Sequence, residues 1–301
     1  MSKANLQPLA EFNAEVVQKP LNGLLTNVSR EIERSLKGAI EAQDRVKEHH
    51  FSLLLMMIRL AISSYESVCH LVVSAQDDPK LLMRRATAVV PINRQMMDSL
   101  FSLIYMLDDF PARSLEYEIS GYRQLRETRD RYIARYSSEA RMQEYLANLN
   151  NLCDLTERYL PITTGQRADP SKIPRWPPPS RLIKRKTASR TFLGFLHAWL
   201  YDDTSAQSHV NAAGLAQVGA FMLTGVGPEH MQRLIEQRAI RQYTFLHFSR
   251  TLIIVLAVAT EIDAFQSFEN REAIKRLWTL LSGWVEEAKD VYQRRYAAML
   301  Q

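Results

Sequence analysis

Residues 274 to 292 read IKRLWTLLSGWVEEAKDVY, with apolar side chains at Ile274, Leu277, Trp278, Leu281, Trp284, Val285, Ala288, Val291 and Tyr292. This is the i, i+3, i+4, i+7 stripe of a helix that turns one face to a core. The same period recurs upstream and predicts helices over Leu21 to His49, Phe51 to Ala75, Lys80 to Leu107, Ala112 to Tyr136, Ser138 to Tyr159 and Glu229 to Ile262. Asp77-Asp78-Pro79 and Asp108-Asp109-Phe110-Pro111 are turn sequences that end helices, and Pro91 predicts a kink inside one. No stretch alternates apolar and polar residues between hairpin turns, and 10 glycines in 301 residues are few for a sheet protein. The fold class expected is all-α, a multi-helix bundle of long amphipathic helices.

Composition agrees. Apolar residues make up 46% of the chain and charged residues 24%, enough to fill a core and too apolar for general disorder. Two cysteines, Cys69 and Cys153, rule out a disulfide framework and a cysteine-rich zinc site, and they suit a reducing cytoplasm. The first twelve residues lack a basic segment followed by an apolar run, so no signal peptide is expected. The densest apolar run, Thr251 to Thr260, is about half the length a spanning helix needs. Thr204 to Pro228 has no charged residue, but Ser205, Gln207, Ser208, His209, Asn211 and Gln217 mark it as a buried soluble segment. No transmembrane segment is expected.

The net charge of +5 is unevenly placed. Residues 161 to 190, PITTGQRADPSKIPRWPPPSRLIKRKTASR, hold six of the twelve prolines and a net charge of +7, leaving −2 for the rest. Such proline density cannot continue a helix, so the segment is read as a basic connector between helical regions 1–160 and 191–301, which pack as one unit. Arg175, Trp176, Arg181, Lys184, Arg185 and Lys186 combine phosphate-binding cations with a ring that can stack on a base. RNA or another anionic partner is therefore expected there. The competing readings are a solvated linker that its charge keeps exposed, and a basic contact with a membrane surface.

Two polar groupings lie in apolar company. Tyr201, Ser205 and His209 are spaced by four, which on one continuous α-helix keeps them within about 80° of each other. Arg94 and Asp98 are also i, i+4 neighbours, set among Met96, Met97, Leu100 and Phe101, and a charged pair there needs partners. Each grouping reads either as part of a site or as an internal polar tie between helices. In the second case the chain is a non-catalytic protein whose helix faces bind a partner or a second copy.

The order Arg94, Asp98, Tyr105, Tyr117, Tyr122, then Arg175-Trp176-Pro177, then Tyr-x3-Ser-x3-His resembles a large family of bacterial all-helical proteins of uncharacterised function. Its members carry an Arg-x3-Glu helix, a tryptophan-containing connector and a Tyr/Ser/His element. The resemblance covers about residues 50 to 225, with Asp98 where the family has Glu. It implies a HEPN-like bundle, a class that includes ribonuclease toxins and antiphage effectors. A metal-independent ribonuclease site would then comprise Arg94, Asp98, Tyr201, Ser205 and His209.

The Arg-x(4–6)-His signature of that class occurs at Arg45/His50, Arg190/His197 and Arg241/His247. Chance alone gives about two matches in a chain this rich in arginine, so the signature selects little. Arg241/His247 is the rival catalytic pair because it sits on a long helix, although a six-residue step places the two about 120° apart. No phosphate-binding loop, dinucleotide fingerprint or zinc-protease motif is present, and neither a metal nor a cofactor is expected.

Overall fold

A computed structural model of the chain describes residues 17–75, 79–202, 229–267 and 269–301, and every regular element among them is helical. Five helices build the first half: α1 (Lys19–Glu41), α2 (Arg45–Val73), α3 (Pro79–Leu107), α4 (Phe110–Tyr136) and α5 (Gln143–Tyr159). Short α6 (Thr164–Ala168), α7 (Pro179–Leu182) and α8 (Arg190–Leu196) follow, and α8 runs into a π-helical turn over His197–Tyr201. The chain closes with α9 (Glu229–Phe265), α10 (Arg271–Trp284), α11 (Glu286–Val291), a second π turn at Tyr292–Tyr296, and α12 (Ala297–Met299).

The core forms around α9, which packs on α3, α2 and α1. Every residue from His247 to Asp263 is buried. A helix covered on all sides needs no polar face, which explains the continuous apolar run at its centre. By length and composition α2 and the Ile240–Phe265 part of α9 are apolar enough to cross a membrane, and neighbouring helices bury 89% of the most apolar window of the latter.

Buried polar side chains fix how the helices meet. Asn93 donates to the His247 carbonyl at 2.8 Å and accepts from Thr251 Oγ1 at 2.7 Å, joining α3 to α9. Trp278 Nε1 donates to Thr260 Oγ1 at 3.0 Å and fixes α10 on α9. Arg295 forks onto Glu261, which is 2% exposed, with one arm at 2.8 Å, and also reaches Ser189 Oγ at 3.1 Å.

Two boundaries differ from the sequence reading. The stripe at Ile274–Tyr292 is two helices, because Val285 is extended (φ −129°, ψ 113°) and α11 restarts with Glu286 and Glu287 in its first turn, where carboxylates suit the helix dipole. The helix expected over Leu21–His49 ends at Glu41. Gln43 takes a left-handed conformation (φ 53°), and Asp44 caps α2 by accepting from the Lys47 N–H at 3.1 Å. α3 agrees with the helix expected over Lys80 to Leu107 and carries Pro91 inside it, facing solvent.

The basic connector is folded rather than a solvated linker. Ile162 and Ile173 join Tyr122 and Leu160 in a small second core, while Leu182 enters the main one. Thr163 caps α6 in a reciprocal box with Gln166, and Asp169 caps the next turn through the Ser171 N–H at 3.0 Å. The prolines begin short helices or lie between them, where a missing N–H costs nothing.

Candidate functional site

α3 presents Arg94 toward the π turn at the end of α8. There the guanidinium lies over the Tyr201 ring, 3.3 Å from its centroid, and Nη2 donates to the Tyr201 hydroxyl. Its Nε stands 3.5 Å from Asp98 Oδ2. Burial draws the Arg94 guanidinium below its ordinary pKa, against the pull of Asp98 and Asp202, and burial raises the Asp98 carboxyl against the pull of Arg94.

The π turn supplies a second pair. His197 and Asp202 are five apart, which on an α-helix would separate them by about 140°. The wider i→i+5 turn closes that gap, and His197 Nδ1 comes within 3.3 Å of Asp202 Oδ2. The His197 ring stacks on Tyr201, with centroids 4.8 Å apart, and Phe101 meets both rings edge-on. Arg94, Asp98, His197, Tyr201 and Asp202 thus form one cluster between α3 and the π turn. The side chains of Arg94 and His197 retain only 17% and 15% of their exposure.

Of the residues expected from sequence, Arg94, Asp98 and Tyr201 are brought together. Ser205 and His209 lie outside the described residues. Arg241 and His247 do not meet. Arg241 is exposed, whereas His247 is fully buried against the Tyr243 ring at 4.4 Å, as a six-residue step on unbroken α-helix requires. His197 and Asp202 were not singled out as a pair.

The connector residues divide into two groups. Arg175 bonds both oxygens of Glu127 at 3.1 Å, and Arg185 reaches the Tyr105 hydroxyl and Glu116. Trp176 is edge-on to Tyr105 and Tyr117, and its Nε1 donates to Ser102 Oγ at 3.0 Å, so the ring does not stand out to stack on a base. Arg181, Lys184 and Lys186 are exposed.

Among the described residues no three His, Cys, Asp or Glu side chains converge as metal ligands. Comparison with protein-family models, curated proteins and solved structures gives no match.

Proposed function

We propose that the chain is a HEPN-like, nucleic-acid-acting protein of bacterial defence or toxin type, working in the cytoplasm as a metal-independent ribonuclease. The observation that carries this reading is the joining of Arg94 and Tyr201 to the His197–Asp202 pair. A carboxylate beside Nδ1 would fix the imidazole tautomer and leave Nε2, which is buried and bonds no described group, as the base; RNA would have to part the cluster to reach it. In RNA cleavage Nε2 would accept the 2′-hydroxyl proton as the 2′ oxygen bonds to phosphorus. The P–O5′ bond breaks, and the 5′ oxygen takes a proton from the Tyr201 hydroxyl. Arg94 would offset the charge that builds on the phosphorane oxygens. Arg181, Lys184 and Lys186 supply exposed cations for the RNA backbone.

The test is cleavage of a labelled RNA by wild type and by the Arg94→Ala, His197→Ala and His209→Ala variants. A general acid or base is worth about 10²–10⁴ in rate, and His197→Ala should lose that much. Wild type without activity, or His197→Ala and Arg94→Ala both with full activity, would refute the reading.

The second reading is a non-catalytic interaction protein in which the same cluster is a structural tie. The observation favouring it is that Arg94 already sits over Tyr201, with little of its side chain open to solvent. It requires Arg94→Ala to lower the melting temperature while binding of a partner or second copy persists.

A further inference from the structure

We propose that the cleft between α2, α3, α4 and α5 is a binding site for a planar, largely apolar small molecule that carries a cationic nitrogen. The inference rests on the cleft alone and stands whether or not the chain cleaves RNA. The cleft has a volume of about 760 Å³, inside the range of roughly 300–1,000 Å³ in which drug-sized ligands are held.

Its lining suits a flat apolar body. Trp176, Tyr117 and Tyr122 reach it from the connector and from α4, and Leu53, Leu125 and Leu160 add aliphatic surface. The aromatic rings are fixed in advance. Trp176 is clamped by its edge contacts to Tyr105 and Tyr117, by the indole bond to Ser102, and by its backbone N–H donating to Ser120 Oγ at 2.5 Å. The Tyr122 hydroxyl donates to Glu157 at 2.6 Å, which holds that ring in place. Preorganised rings lose little freedom when a ligand arrives. At the mouth Met56, Leu152, Leu155 and Tyr159 are between 47% and 74% exposed. A solvated helix pair has no use for four large apolar side chains converging on one opening.

Charge decides the sign of the ligand. Among the described residues the charged side chains that line the cleft are His49, Asp98 and Glu118, and no lysine or arginine is among them. His49 is taken by its bond to Glu118, and Asp98 meets Arg94 through one 3.5 Å contact. His49 and Glu118 offset one another, so the half-exposed Asp98, held by that single contact, is the carboxylate a cation would meet. Indole and phenol faces add to that preference, since a cation over an aromatic ring is drawn to its negative face.

Gly121 gives a way to block the site. It lies on α4 and lines the cleft, and a Cβ there meets no atom within 4 Å. Gly121→Leu therefore fills the cleft while improving a helix position. The experiment titrates the full-length chain with three dyes: cationic rhodamine 6G, neutral Nile red and anionic anilinonaphthalene sulfonate. Rhodamine 6G should bind saturably at one site, at least tenfold tighter than the anionic dye. Gly121→Leu should weaken rhodamine 6G and Nile red at least tenfold with a melting temperature at or above wild type. Asp98→Asn should weaken rhodamine 6G several-fold and leave Nile red unchanged. Leu155→Lys, at the exposed mouth, should weaken rhodamine 6G more than Nile red, and it serves if Gly121→Leu does not fold. Absence of saturable binding, tighter binding of the anionic dye, or rhodamine 6G affinity unaltered in folded Gly121→Leu and Leu155→Lys would overturn the proposal.

Discussion

His49 and His50 are adjacent on α2 and respond to pH in opposite directions. His49 bonds Glu118 on α4, and that bond holds its imidazole above the ordinary value of 6.5. Burial holds His50 below it. A raised folded pKa means that the stability from His49 is fully present below the unfolded value and is lost as pH rises through the folded one. His50 works the other way, losing stability as pH falls. The His49→Gln variant isolates the first effect. It should melt below wild type at pH 6, and the gap should narrow steadily toward pH 9; thermal melts across that range check it, and a gap that widens would contradict the assignment. Asn93 makes the same point about buried polar groups. Nothing in a single sequence separates it from other mid-helix asparagines, because its value lies in a carbonyl and a hydroxyl on α9, more than 150 residues away. Arg94 was more legible, since a charge among so many apolar neighbours must be partnered.

Among the elements, the long helices were readable because amphipathic periodicity reports one buried face. The breaks between them were not. At Val285 the apolar stripe continues in sequence while the backbone extends for one residue, so the pattern hides the interruption. At Gln43 the chain turns through a left-handed residue where a glycine would be expected. That conformation costs an L-residue about 1–2 kcal/mol, partly offset by the entropy a glycine adds to the unfolded chain. Gln43→Gly should therefore stabilise the protein by about 0.5–1 kcal/mol. Chemical denaturation measures it, and a destabilised variant would show that the Gln43 side chain does more than occupy the turn. The π turn at His197–Tyr201 is a third case. Reading by the α-helical period places His197 and Asp202 on different faces, and only the wider turn joins them.

At the scale of the whole molecule, one buried network ties the parts together. Asp108 at the α3–α4 corner accepts from Ser189 Oγ at 2.8 Å, Ser189 accepts from Arg295, and Arg295 forks onto Glu261 of α9. The guanidinium is held well above its ordinary pKa chiefly by Glu261, despite burial. Removing one member leaves the other's charge buried and unpaired, so Arg295→Met should cost about 3–5 kcal/mol. The double variant Arg295→Met/Glu261→Gln should recover a good part of that. Urea unfolding of both variants checks it, and a single variant as stable as wild type would remove the network from the account. The connector belongs to this scale as well. Its charge and prolines were plain in the sequence, whereas its folding against α4 depends on Ile162 and Ile173 meeting Tyr122, which no local pattern announces.

The central claim is that the Arg94, Tyr201, His197 and Asp202 cluster is a phosphodiester site rather than an internal tie. The most direct measurement is an NMR titration of the His197 ring nitrogens with a 2′-O-methyl oligoribonucleotide, which can bind but cannot be cleaved. The account predicts a saturable shift of the His197 resonances that disappears in Arg94→Ala. His197 resonances that stay fixed while RNA binds elsewhere on the chain, or that shift equally in the Arg94→Ala variant, would contradict it.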